Sequence, residues 1–284
     1  RRGPGLRPRG PRILCLLTLC LAVSSGCLAE WTNRLKLPAE YTLNREQLVF
    51  HSDFPLASQH RLIEELVVRR LDLQQRLGVP LSDEPIEVYL FENGQRFDAF
   101  LRLYHPQFPA RRAFFLETDT RLVVYAQWGD RVAEDLRHEV THGYLHAVVP
   151  SLPLWLDEGL AEFSEVPRGA RGLHRQHVAE LAAAMQRHQW RPDLMRLEAL
   201  EPDADMTQEE YAEAWAWVHL LLETPLESRN LLPVFLADIR HLGATEPLSV
   251  RLRQVYPDPE AVLVDHLRRL IAMVKDPSRN KLET

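Results

Sequence analysis

The chain has 284 residues, 45% of them hydrophobic and 26% charged, with a formal net charge of −6. That is ordinary globular composition, and it excludes a disordered, collagen-like or multi-span membrane protein. Five of the 34 basic residues (Arg1, Arg2, Arg7, Arg9, Arg12) lie in the first dozen positions, and without them 29 basic residues face 40 acidic ones, or −11. An acidic body has no concentrated Lys and Arg for a phosphate backbone, so no nucleic-acid partner is expected.

The N-terminal segment, residues 1–29, is predicted to be a signal for export. A basic, Pro- and Gly-rich head precedes an uncharged run of 11 apolar residues from Ile13 to Val23. Such a run is too short to cross a bilayer, which takes roughly 20 residues. A basic head, a short apolar middle and small residues after it are the pattern of a secretory signal. Two cleavage readings stay open, beside an uncleaved anchor. Cys27-Leu28-Ala29 before Glu30 suits ordinary cleavage. Ser24-Ser25-Gly26-Cys27 resembles a bacterial lipobox, in which Cys27 is acylated and attaches the chain to a membrane. Either way Cys15 and Cys20 are removed, and no disulfide framework is expected. The expected location is the bacterial periplasm or a membrane-anchored lipoprotein of the cell envelope.

After residue 30 the elements follow in chain order. Residues 47–54 alternate enough for a strand, and 56–77 carry apolar residues at helical spacing. Residues 86–91 (IEVYLF) form a strand bounded by Pro85 and Asn93-Gly94. A short helix is predicted over 95–104, a hairpin from 112–117 and 121–128, and a helix over 130–149 ended by Pro150 and Pro153. Later segments near 156–165, 171–188, 207–224, 229–242 and 258–275 suit helices. The predicted class is α+β: an N-terminal α/β lobe at 30–129, with a small sheet and an edge hairpin, then a helical lobe at 130–284.

His138-Glu139-Val140-Thr141-His142 is an HExxH motif. Residues four apart on a helix share a face, so both imidazoles can reach one cation, and neutral imidazole is a good zinc ligand. Glu139 projects about 100° away from His138, where a base belongs that takes a proton from activated water. With 12 His in the chain, chance produces the pattern in about one such chain in twenty, so the motif needs support. Support comes 13 residues past His142, at Trp155-Leu156-Asp157-Glu158-Gly159-Leu160-Ala161-Glu162-Phe163. The intervening prolines turn the chain, and a second helix can return against the first. Glu158 and Glu162 are again four apart. One can ligate while the other accepts a hydrogen bond from a ligand imidazole, fixing its tautomer.

HExxH followed by W-L-x-E-G-x-A-E-F resembles the gluzincin metallopeptidases, the thermolysin-like group, and is most similar to their bacterial peptidase MA-like domains. The resemblance is strong over about residues 130–165, with a weaker echo at Tyr211–Leu222 (YAEAWAWVHLLL). It implies one zinc ion per chain held by His138, His142 and Glu158, with Glu139 as general base. It also implies Glu162 as the carboxylate behind a ligand imidazole. Tyr211 is a candidate donor to the developing oxyanion, or simply a packed aromatic. The acidic motif that binds free amino termini in aminopeptidase relatives is absent before His138.

His146 continues the 138/142 row, but about 12 Å of helix axis separates 138 from 146, too far for one ion to hold all three. It is read as structural or as a polar residue of the rim. Asp157 is read as solvated or as a helix cap, Trp155, Trp215 and Trp217 as core, and His219 is left without a role. In the resembling fold the strand before the active helix is a sheet edge on which an extended peptide can pair. The expected activity is hydrolysis of a peptide or protein substrate. The alternatives are a non-catalytic binding or scaffold lipoprotein on the same fold, and a zinc amidase acting on cell-wall peptides.

Overall fold

The computed structural model of the chain describes residues 36–223, 230–243 and 245–276. The expected signal segment and Cys27 lie outside the described residues. The class is α+β, as the order of elements implies. Five strands, β1 (Tyr41–Arg45), β2 (Leu48–Ser52), β3 (Ile86–Phe91), β4 (Ala113–Thr118) and β5 (Arg121–Gln127), make one sheet in the order β1-β2-β3-β5-β4. β2, β3 and β5 run parallel, whereas β1 and β4 pair antiparallel at the two edges.

This order corrects one expectation. The strand before the HExxH helix is β5, and it is hydrogen-bonded on both sides, to β3 and to β4. The sheet edge is the other arm of the hairpin, β4. After the turn at Asp119-Thr120, β5 takes the inner place because it is the more completely apolar arm, buried from Leu122 to Ala126. A strand covered on both faces reads as a continuous hydrophobic run.

Two helices accompany the strands, α1 (Arg61–Leu77) and α2 (Gly94–Tyr104). α1 starts later than periodicity alone suggests because His60 caps it, its Nδ1 accepting from the Leu62 N–H at 3.3 Å. Asn93 caps α2 in the same way, accepting from the Arg96 N–H at 3.1 Å. α2 covers one sheet face with Phe97 and Phe100 against Tyr89, Phe91 and Tyr125.

The other face receives α3 (Val132–His146). Gly143 permits the approach, since a Cβ there would lie 3.0 Å from Ile86 of β3. Pro150, Ser151 at positive φ and Pro153 then reverse the chain. α4 (Leu154–Glu165) returns beside α3. The remaining helices are α5 (Arg175–Gln186), α6 (Leu194–Glu198), α7 (Gln208–Glu223), α8 (Leu231–Leu242), α9 (Leu248–Val255) and α10 (Pro259–Lys275). No strand follows α4 among the described residues. α4 packs closely on α7 at Gly159, where a Cβ would stand only 2.7 Å from the Ala214 carbonyl oxygen. Trp155, Trp215 and Trp217, on these helices, are fully buried. One apolar core runs unbroken from Leu48 in β2 to Leu270 in α10, so the segments before and after residue 129 share it. No helix among the described residues is long and apolar enough to cross a membrane.

Candidate metal centre

α3 and α4 lie side by side, so the HExxH face of one meets the Glu158 face of the other. His138 Nε2 is 3.4 Å and His142 Nε2 is 3.8 Å from Glu158 Oε2. Glu158 Oε2 is buried, and neither approach is aligned as a hydrogen bond. Leaving a buried carboxylate oxygen unpaired costs on the order of 1–3 kcal/mol, so the arrangement calls for a partner. A tetrahedral zinc with bonds near 2.0–2.1 Å sets its donors about 3.3 Å apart. The two His–Glu158 distances lie within about half an ångström of that value, and all three donor atoms lie within 4.8 Å of one another. His138, His142 and Glu158 are thus a set of donors that could hold a metal ion.

The far nitrogen of each imidazole decides whether the near one is free to ligate. His138 Nδ1 lies 2.9 Å from Glu165 Oε1, so Nδ1 donates to that carboxylate and Nε2 is the nitrogen turned toward Glu158. His142 Nδ1 lies 2.9 Å from Asp157 Oδ1, although the ring N–H does not point squarely at that oxygen. Carboxylates in this position fix the tautomer and raise the basicity of the ligand.

The same contacts account for the charges. Burial alone lowers the pKa of His138, but Glu158 and Glu165 more than offset it and hold it well above the ordinary value. For His142 the opposing pull comes from Asp157 and then Glu158, and the result is again upward. Burial raises Glu158 and Asp157, yet the neighbouring histidines hold both carboxyls below their usual range. Carboxylates ionised this firmly around two imidazoles make a local field that favours a cation. Glu139 differs: burial lifts its pKa, and the charges of His138 and His142 only partly offset that. A carboxylate shifted upward is the better proton acceptor near neutrality.

Two expectations about the outer carboxylates need correction. Glu162 does not support a ligand imidazole; its Oε2 is 2.7 Å from His177 Nε2 on α5. The residue behind His138 is Glu165, the last of α4. It is brought there because Arg137, the neighbour of His138, donates to the Glu165 carbonyl at 3.0 Å while forking onto Glu65 of α1. Arg69 likewise caps the Val166 carbonyl at 3.0 Å. Asp157 is neither solvated nor a cap. It is partly buried between His142 and His146, with Oδ2 2.9 Å from His146 Nε2, and Pro153 stands at the N-cap of α4.

Tyr211, in the first turn of α7, faces the centre: burial and then the Glu158 charge raise its pKa. The charge of Arg111, a residue just before β4 that the sequence does not mark, partly offsets that rise. Nothing in its local sequence marks Arg111, because its meeting with Tyr211 arises from folding alone. His219, on the same helix, points elsewhere, its Nδ1 2.9 Å from His266 Nε2 of α10. No family model matches the chain, and no curated protein matches it.

Proposed function

We propose that the protein is a zinc-dependent peptidase whose single metal is held by His138, His142 and Glu158. The observation that carries this reading is the buried, unpaired Oε2 of Glu158 facing two ring nitrogens whose outer sides are occupied by carboxylates. The resemblance of the two motifs to the gluzincins supports the same assignment. A zinc ion in this position supplies Lewis acidity, polarising a carbonyl and making a nearby water easier to deprotonate.

The chain supplies the rest. Glu139 accepts the water proton on its carboxylate, then returns it to the leaving amine, a single group acting first as base and then as acid. Tyr211, with the Arg111 charge beside it, donates toward the oxygen that becomes negative. β4, the free edge beside α3, offers backbone N–H and C=O groups to an extended peptide. We further propose export, with Cys27 acylated; the mass of the mature N-terminus reads this directly.

The test is metal content joined to a peptide-library digest of wild type and Glu139→Gln. The expected outcome is one zinc in both proteins, with cleavage in wild type only. One zinc without cleavage in either supports the scaffold reading, cleavage confined to cell-wall peptides supports the amidase, and full cleavage by Glu139→Gln contradicts the role of Glu139.

A further inference from the structure

His146 is too far along α3 to share an ion with His138, yet both of its nitrogens are engaged. Nε2 is 2.9 Å from Asp157 Oδ2, and the other oxygen of Asp157 is 2.9 Å from His142 Nδ1. Nδ1 is 2.6 Å from Glu117 Oε2 on the edge strand β4. An aromatic contact follows the same line: Phe115 of β4 stacks on the His142 ring at 5.9 Å and meets the His146 ring edge-on at 5.1 Å.

We propose that His146 is a positioning residue that ties the ligand imidazole of His142 to the free sheet edge. A carboxylate can fix a ligand histidine only if it is itself held. Asp157 sits one residue before Glu158, at the start of α4, and among the described residues its carboxylate has polar contacts only with His142 and His146. Without His146 it could turn toward solvent and release the His142 ring. Among the described residues, Glu117, half-exposed on β4, makes its polar contact to α3 through His146. The strand on which a substrate would lie and the ring that would hold the metal are therefore fixed by the two nitrogens of one side chain. The inference rests on the assignment of His142 as a ligand.

The two nitrogens can be replaced separately. The amide of Gln reaches about as far as Nε2, whereas that of Asn stands near Nδ1. His146→Gln therefore keeps a donor for Asp157 and loses Glu117, and His146→Asn does the reverse. Zinc affinity is read by competition with a chromophoric chelator, and β4 by amide hydrogen exchange over residues 113–118. Thermal unfolding of the metal-free proteins confirms that each variant folds. The expected result is zinc binding about 10–100-fold weaker in His146→Asn and within about threefold of wild type in His146→Gln. Exchange on β4 should be faster in His146→Gln only. Equal zinc affinity in the two variants overturns the link to His142, and equal exchange overturns the link to the strand. A wild type that binds no zinc overturns this inference and the proposed function together, whereas zinc held normally by both variants overturns this inference alone.

Discussion

Helix α4 carries two clusters of histidine and carboxylate, one on each of two successive turns, and they are not equivalent. In the first, Glu158 faces His138 and His142 at 3.4 and 3.8 Å, with its inner oxygen unpaired. In the second, Glu162 and His177 are already joined at 2.7 Å. His174 Nδ1 accepts the His177 N–H at 3.3 Å, so its proton sits on Nε2, 3.2 Å from Glu165. Both clusters have the residue types and rough spacing of a metal site. The difference lies in which atoms are already joined. In the first, the outer carboxylates stand at the Nδ1 side of each ring, and the inner oxygen of Glu158 has no hydrogen bond. In the second, the inner carboxylate is already hydrogen-bonded to a ring nitrogen. Residue composition does not define a metal site; the hydrogen-bond partners behind the donors do.

Removing the acid that makes the first cluster special should have the largest effect. Glu158→Ala is expected to lose stoichiometric zinc, measured by metal analysis after dialysis, while Glu162→Gln keeps it. Next in size is the chemistry: Glu139→Gln should lower turnover by about 10²–10⁴-fold with zinc retained, measured on the best substrate from the library. Loss of zinc in that variant would make Glu139 a ligand instead and redraw the cluster. Third, Glu165→Gln and Asp157→Asn should each weaken zinc by about 10–100-fold, as chelator competition would show. An equal loss in Glu162→Gln would erase the distinction between the clusters.

The smallest effect concerns histidines that meet no carboxylate. Burial, and for His266 also the neighbouring His219, pushes the His219 pKa down to about 4 and that of His266 down to about 3. Both values lie below the unfolded value of about 6.5, so the unfolded chain binds more protons in this window. The stability tied to neutral rings is complete above about pH 6.5 and is lost as pH falls through 4. Denaturant titrations at several pH values should show a shallower acid slope in a His219→Leu/His266→Leu double variant; an unchanged slope would contradict this.

Much of the frame was legible in the sequence, because periodicity and punctuation reflect local physics. β3 is bounded by Pro85 and Asn93-Gly94, and α3 and α4 are separated by Pro150 and Pro153. The spacing of His138, His142 and Glu158 was readable for the same reason: it needs only helical geometry and one turn. What escaped was set by contacts distant in sequence. α6 and α9 are too short for periodicity to reveal, and β1 is a largely exposed edge. Glu165 displaces Glu162 behind His138 because Arg137 and Arg69, from α3 and α1, draw in the end of α4. Arg111 meets Tyr211 across 100 residues of chain. The hairpin was foreseen but not which arm lies outermost, since that depends on how β5 docks on β3.

Crystals of the zinc-loaded protein measured on both sides of the zinc absorption edge address the central claim most directly. The account requires a single anomalous peak between His138 Nε2, His142 Nε2 and Glu158, with none among Glu162, His174 and His177. A peak at the second cluster, or none at the first with zinc in excess, would contradict it.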